Sequence, residues 1–351
     1  MRELLKDNMS RISVIDCTLR DGGYVNNWDF SNEFQCKTIN TLINSKINII
    51  ECGFLSDQAS KSDNTTLFRS VEQLNTFLAY NSLNQYNCKY ALMLNLGEYS
   101  IDNILKCDRA KNCVTVIRIA FKKDEILRAK EFASLLIDKS YDVHIQPTAI
   151  SHYTDEEIVE MLNIFSEINY TSISIVDTFG ALSNEDVKRI TRLYDKYANK
   201  MAMIAFHGHN NLSQAFSNAL AFINSVSVTR DVFVDTSIYG IGRGTGNLQT
   251  EVFLAYLKNE KKYNFLVYPI TNFICNEMEA FKNIMNSSNS YFYLLTAKKN
   301  MHPNYATYLI HKNYSKNEII NILERVDTSK YLVFDYEYIH NLCENLQIKS
   351  C

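Results

Sequence analysis

The sequence predicts a (β/α)₈ TIM barrel followed by a C-terminal helical extension. Three observations lead to that fold class. Eight short apolar, β-branched runs recur between residues 12 and 235, stretches with helical spacing separate them, and successive runs start about 25–40 residues apart. An open, doubly wound sheet is the competing architecture. It usually has fewer strands and carries a glycine fingerprint after the first one, which this sequence lacks.

Strands are expected at 12–16 (ISVID), 48–53 (NIIECG), 89–95 (KYALMLN), 114–120 (VTVIRIA), 142–148 (DVHIQPT), 172–177 (SISIVD), 202–207 (AMIAFH) and 231–235 (DVFVD). Their nearly continuous apolar character suits strands buried on both faces of a parallel sheet. Helical spacing is read at 31–45, 66–79, 124–138, 154–168, 184–198 and 211–225. Thr154 followed by Glu157 predicts a capping box, and Ser183 followed by Asp186 predicts its aspartate version. The barrel pattern fades near residue 260. Residues 1–260 are therefore assigned to a catalytic barrel and 261–351 to the extension, with helices expected at 273–286, 315–325 and 331–346.

Composition narrows the function classes. The chain has 351 residues, 46% hydrophobic and 21% charged, which suits a globular protein able to bury a large core. A net charge of −3 with no basic block gives no footprint for nucleic acid or an anionic membrane. No apolar run approaches the ~20 residues that span a bilayer. The start, MRELLKDNMSRISVI, lacks the apolar core of a signal peptide, and the 9 cysteines include no CxxC pair. A cytoplasmic protein with reduced thiols is the expectation. Cys17 and Cys52 are read as buried packing.

In such a barrel, chemistry sits where the strands end. After strand one come Arg20 and Asp21, a guanidinium beside a carboxylate that can hold a metal. Strand two carries Glu51, a charge on an apolar strand that needs a partner, and Arg20 is the candidate. Strand seven ends in His207 and His209, which at a spacing of two point to the same side and can converge on one ion. His144 and His152 flank strand five, and the remaining histidines are scattered. After strand eight the loop Tyr239–Asn247 (YGIGRGTGN) can cradle an anion or make a tight turn, and Asn247 offers an amide oxygen. One carboxylate, two imidazoles and an amide suit a divalent ion with open positions: Mn²⁺ first, with Mg²⁺, Co²⁺ or Zn²⁺ as alternatives.

Five motifs, TLRDG (18–22), IIECGF (49–54), DTFG (177–180), HGHNN (207–211) and GIGRGTGN (240–247), stand in one order. In that order they resemble the metal-dependent (β/α)₈ lyases and synthases related to 3-hydroxy-3-methylglutaryl-CoA lyase. The resemblance implies that Asp21, His207 and His209 bind the metal, with Asn247 as an optional ligand. It implies that Arg20 stabilises an enolate and that Glu51 anchors Arg20. The CoA lyases of this family carry a cysteine in the last glycine loop, where this sequence has Arg243-Gly-Thr245. The condensing synthases read RDGEQ, where this sequence reads RDGGY. The 4-hydroxy-2-oxovalerate aldolases, the branch most similar overall, place a basic histidine where this sequence has Tyr24. RDGGYVNNWDF (20–30) and HPNY (302–305) resemble aldolase-like proteins encoded with surface-polysaccharide genes.

The leading expectation is thus an aldolase that makes or breaks a bond in a 4-hydroxy-2-oxo acid, with a pyruvate enolate and an aldehyde as the two halves. Tyr24 stands where the base is expected, although a phenol with an ordinary pKa near 10 is a poor base at neutral pH. Tyr291 and Tyr293 are further candidate proton donors. A Claisen-type synthase acting on acetyl-CoA, and a silent ligand-binding barrel, are the alternatives. Small 2-oxo acids and aldehydes are the expected partners. A homo-oligomer and an acylating dehydrogenase partner, as in the aldolase branch, are left open.

Overall fold

The computed structural model describes residues 12–59, 64–84, 88–282 and 290–346. Eight parallel strands form the barrel: β1 (Ile12–Asp16), β2 (Ile49–Leu55), β3 (Lys89–Asn95), β4 (Val114–Phe121), β5 (Asp142–Pro147), β6 (Ser172–Asp177), β7 (Met203–Gly208) and β8 (Val232–Thr236). Neighbours in sequence are neighbours in the sheet, and β1 closes the ring. It pairs with β8 from Ile12↔Val232 to Asp16↔Thr236 and with β2 at Ile15↔Ile49. Closure leaves no barrel edge to protect.

Helices follow most strands: α1 (Asn32–Asn44), α2 (Val71–Tyr80), α3 (Ile126–Asp138), α4 (Asp155–Phe165), α5 (Asn184–Tyr197), α6 (Ala215–Ser225) and α7 (Thr250–Lys261). Both expected capping boxes form. Thr154 Oγ1 accepts from the Glu157 amide at 3.3 Å while Glu157 Oε2 accepts from the Thr154 amide at 2.8 Å, and Ser183 and Asp186 do the same. Between β3 and β4 there is only the 3₁₀ turn Ile101–Asn103. The helix expected from residue 66 starts at Val71 instead. Gly53, at φ +154, lets the two-residue strand Leu67–Phe68 lie against β2 so closely that a Cβ at Gly53 would stand 1.9 Å from the Thr66 carbonyl. Ser70 then caps the helix by accepting from the Gln73 amide.

Beyond the barrel, α8 (Tyr268–Glu277) starts five residues before the expected 273 because Pro269 occupies its first turn. It buries Ile270 and Phe273 in the core outside the strands. Residues 283–286 of the expected helix lie outside the described residues. After the short helical turn Glu279–Lys282, four longer helices follow among the described residues, α9 (Ser290–Lys298), α10 (Asn304–His311), α11 (Lys316–Arg325) and α12 (Tyr336–Asn345), around a separate hydrophobic cluster that includes Met301, Tyr305, Ile322 and Ile339. The sequence reading missed α9 and α10. The cluster docks on the loops that follow β5 and β6. Ser151 Oγ donates to Asn300 Oδ1 at 2.7 Å, and the His302 ring lies 5.4 Å from the Phe179 ring. The extension therefore roofs the end of its own barrel where the strands finish. Among the described residues, no helix is long and apolar enough to cross a membrane.

Candidate metal centre and active site

Each interesting polar side chain enters the barrel at the carboxyl end of a strand. Asp21 and Arg20 lie on a helical turn, Thr18–Asp21, directly after β1, and both are buried. His207 is the penultimate residue of β7, and His209 directly follows the strand. One donor atom from each of Asp21, His207 and His209 lies within 4.8 Å of the others, and all three residues are buried. Asp21 Oδ2 is 3.7 Å from His207 Nε2. Burial pushes the Asp21 carboxyl up, but Arg20, the two imidazoles and Asn247 outweigh it and hold it well below the carboxylate range. Burial drives His209 down to about 3, helped by His207, Arg243 and Arg20, so its imidazole is neutral and its lone pair is available.

These residues fit a divalent ion. His207 Nδ1 is held 2.9 Å from Asp235 Oδ2, which directs the opposite ring nitrogen toward Asp21. His209 Nδ1 and Asn247 Oδ1 are buried with no hydrogen-bond partner among the described residues, polar atoms that an ion and its waters would satisfy. Asn247 itself turns Nδ2 toward Asp21 Oδ2, so its amide braces the carboxylate while its oxygen stays free.

Arg20 is fixed on two sides. Its Nε donates to Glu51 Oε2 at 2.8 Å and its Nη1 to Asp21 Oδ1 at 2.5 Å. Its Nη2 makes no hydrogen bond among the described residues, so one guanidinium donor remains for a substrate. Glu51 is fully buried and also pairs with Arg118 Nη1 at 3.0 Å. Arg118 in turn donates from Nη2 to Asp235 Oδ2 at 2.5 Å. An unbroken chain of ion pairs thus runs Arg20–Glu51–Arg118–Asp235, and Asp235 carries it on to His207 Nδ1. Because β4 and β8 are not neighbours in the sheet, the Arg118–Asp235 contact crosses the barrel interior. Arg118 and Asp235 were missed in the sequence. Each sits inside an apolar strand run, the same signal that marked Glu51.

The remaining motifs shape the site. Asp177 stays outside the metal cluster and caps the DTFG turn by accepting from the Ala181 amide at 2.9 Å, and burial raises it to about 7. Asn211 ties that turn to the glycine loop, donating to the Phe179 carbonyl at 2.9 Å and accepting from the Thr245 amide at 2.9 Å. Tyr24 stands at the rim, 38% exposed, with its ring against Trp28 and under the Arg243 guanidinium. Burial of its hydroxyl raises its pKa above 10 in spite of Arg243 and Arg20. Tyr291 and Tyr293 reach the same side from the roof, in the wall of a cavity of about 800 Å³ that Tyr24 also lines.

A family model described as HMGL-like matches residues 11–273. The 4-hydroxy-2-oxovalerate aldolase of Geobacillus thermodenitrificans is 30% identical over 255 residues, covering 70% of this chain and 69% of that protein. The oxaloacetate decarboxylase of Mycobacterium tuberculosis is 24% identical over 245 residues, covering 70% and 69%. Among solved structures, the N-terminal domain of a candidate aldolase from Bacteroides vulgatus superposes with a TM-score of 0.73 at 25% identity, over 88% of this chain and 99% of that one.

Proposed function

Because the chain belongs to the HMGL-like family and is a carbon–carbon lyase of aldolase type, we propose that it acts on a 4-hydroxy-2-oxo acid, with a pyruvate enolate and an aldehyde as the two halves. The observation that carries this reading is the buried Asp21–His207–His209 cluster with the free Nη2 of Arg20 beside it. Asp21, His207 and His209 would hold a divalent ion, Mn²⁺ being the leading candidate, with Asn247 supporting Asp21. When bound, that ion supplies Lewis-acid polarisation of the 2-oxo group.

The chain's own residues do the rest. In the cleavage direction the 4-hydroxyl passes its proton to a water in the cavity that Tyr24 lines, the C3–C4 bond breaks, and its electron pair moves into the enolate. Arg20 Nη2 is the donor for the oxygen on which negative charge develops, and Glu51 keeps the guanidinium from rotating away. The enolate then takes a proton at C3 to give pyruvate. Tyr24 holds the hydroxyl end of the substrate as a neutral phenol, since its raised pKa leaves it protonated at neutral pH. The roof of α9 and α10 limits water at the enolate, which would otherwise compete for the hydrogen bonds that hold it. The relationship to an oxaloacetate decarboxylase supports a second reading on the same site, in which carbon dioxide leaves in place of the aldehyde and the same enolate remains.

Pyruvate release from 4-hydroxy-2-oxo acids and from oxaloacetate, with EDTA and then with Mn²⁺ or Mg²⁺ restored, tests both. Metal-dependent release from the hydroxy-oxo acids is expected, and Arg20→Ala is expected to lower kcat at least about 100-fold. Release from oxaloacetate alone would select the decarboxylase reading. Full activity in Arg20→Ala would sink both.

A further inference from the structure

We infer that the aldehyde half of the substrate is long, hydroxylated and negatively charged, and that Arg243 is the residue that recognises its charge. This rests on the aldolase reading above and adds the substrate class to it.

The first support is space. The cavity between the barrel end and the roof has about 800 Å³. Its lining includes Tyr24, Asn211 and Arg243 but none of Asp21, His207, His209 or Arg20, so it adjoins the metal cluster and is room beyond the pyruvate end. A two-carbon aldehyde would leave most of the cavity filled with solvent. The second is the wall. Beside the aliphatic Val25, Leu294 and Ile310 it carries amides, hydroxyls and aromatic rings, among them Asn210, Asn304, Thr307 and Tyr308, and no aspartate or glutamate among the described residues. Such a lining offers hydrogen bonds to hydroxyl groups and flat faces to the C–H surface of a carbon chain.

The third is Arg243 itself. It lines the cavity with its guanidinium 5.1 Å from the Tyr24 ring centroid. Its Nε is buried with no hydrogen-bond partner, and no carboxylate pairs with it among the described residues. Every other buried or half-buried arginine around the site has an acid, as Arg20 and Arg118 do. Glu98 faces Tyr24 but is engaged by Asn95 Nδ2 at 2.8 Å. The loop also holds Arg243 in place. A Cβ at Gly242 would meet Asn247 Nδ2 at 2.5 Å, and one at Gly244, where φ is +72, would meet Asn211 Oδ1 at 2.4 Å. The backbone is pressed against the site on both sides of Arg243, whose side chain lines the cavity. A guanidinium held there without a counter-charge is a receptor for a carboxylate or a phosphate.

The test uses the full chain with Mn²⁺. Deuterium exchange into the methyl group of pyruvate, lost with EDTA, first checks the enolate chemistry without any aldehyde. Pyruvate release is then compared across hydroxylated 4-hydroxy-2-oxo acids of equal length that end in a carboxylate, a phosphate or a neutral hydroxymethyl, and with short 4-hydroxy-2-oxovalerate. An anionic terminus should raise kcat/KM at least about tenfold over the neutral chain, as expected for a charge-assisted hydrogen bond. The better of the two anions names the group. Arg243→Gln should bring the anionic-to-neutral ratio to within about twofold, and Arg243→Lys should restore part of it. Melting curves of both variants show that the ratio is read on folded protein. Exchange with equal use of neutral and anionic chains, or a ratio unmoved in Arg243→Gln, overturns the inference and leaves the aldolase reading standing. Absence of exchange removes that reading and the inference together.

Discussion

The lower and upper halves of the barrel interior are built by the same strands and differ by one step of two residues. Low in the barrel, Ile49, Val116, Ala205 and Phe233 pack together with Ile15 and Ala91. Two residues further along the same four strands stand Glu51, Arg118, His207 and Asp235, joined by the Arg118 ion pairs of 3.0 and 2.5 Å and by the 2.9 Å contact of His207 Nδ1 with Asp235. The strand period of two puts both sets on the inner face. The lower layer is the ordinary solution for a barrel of this size, a plug of apolar side chains. In the upper layer several charges are taken out of water, which costs more than burying methyl groups in the same volume. Stability alone does not explain that choice. The network's ends do: one holds Arg20 and the other fixes the tautomer of His207.

The largest effect should come from cutting that network at its centre. Arg118→Met leaves Glu51 and Asp235 buried without their shared cation and should cost about 3–5 kcal/mol in urea unfolding. Removing the acids as well, in Arg118→Met with Glu51→Leu and Asp235→Leu, should recover most of that stability while abolishing pyruvate release. A triple variant as unstable as the single one would mean that the upper layer serves the fold as the lower layer does.

A smaller effect is expected at the metal end. Asp235→Asn keeps the shape but loses the charge that sets the His207 tautomer. Mn²⁺ affinity measured by calorimetry should fall about 10–100-fold, the usual consequence of losing a carboxylate behind a ligating histidine. An unchanged affinity would show that the Arg118–Asp235 pair faces His207 without orienting it.

The strands, both capping boxes and the triad were legible because each rests on a local rule. Apolar runs at regular intervals give the barrel, Thr154 and Glu157 give a helix start, and His207 and His209 share a face by spacing alone. Arg118 and Asp235 were hidden because their meaning is across the barrel. A charge inside VTVIRIA or DVFVD states that a partner exists without stating which of seven other strands supplies it. Glu51 escaped this because Arg20, just after the adjoining first strand, offered a partner. The roof was harder still. Helix α9 carries aromatic and polar residues on several sides, so that no single apolar stripe marks it, α10 is only eight residues long, and both pack on the extension's own small cluster. The start of α2 was displaced by a tertiary contact at Gly53 that outweighs helical spacing in residues 66–70.

The smallest effect belongs to the lower layer and closes the comparison from the other side. Val116 is fully buried, two residues below Arg118 on β4. Val116→Ala removes about two CH₂ equivalents and should cost roughly 2 kcal/mol, with the spread set by how far Ala91, Ala205 and Phe233 close the gap. Mn²⁺ affinity, and pyruvate release per folded molecule, should stay within about twofold of the parent, since Val116 makes none of the ion pairs or hydrogen bonds that hold Arg20 and His207. A loss of metal affinity in Val116→Ala would mean that the plug sets the height of the ion network. The barrel interior would then be one unit, with stability and metal binding carried by both layers together.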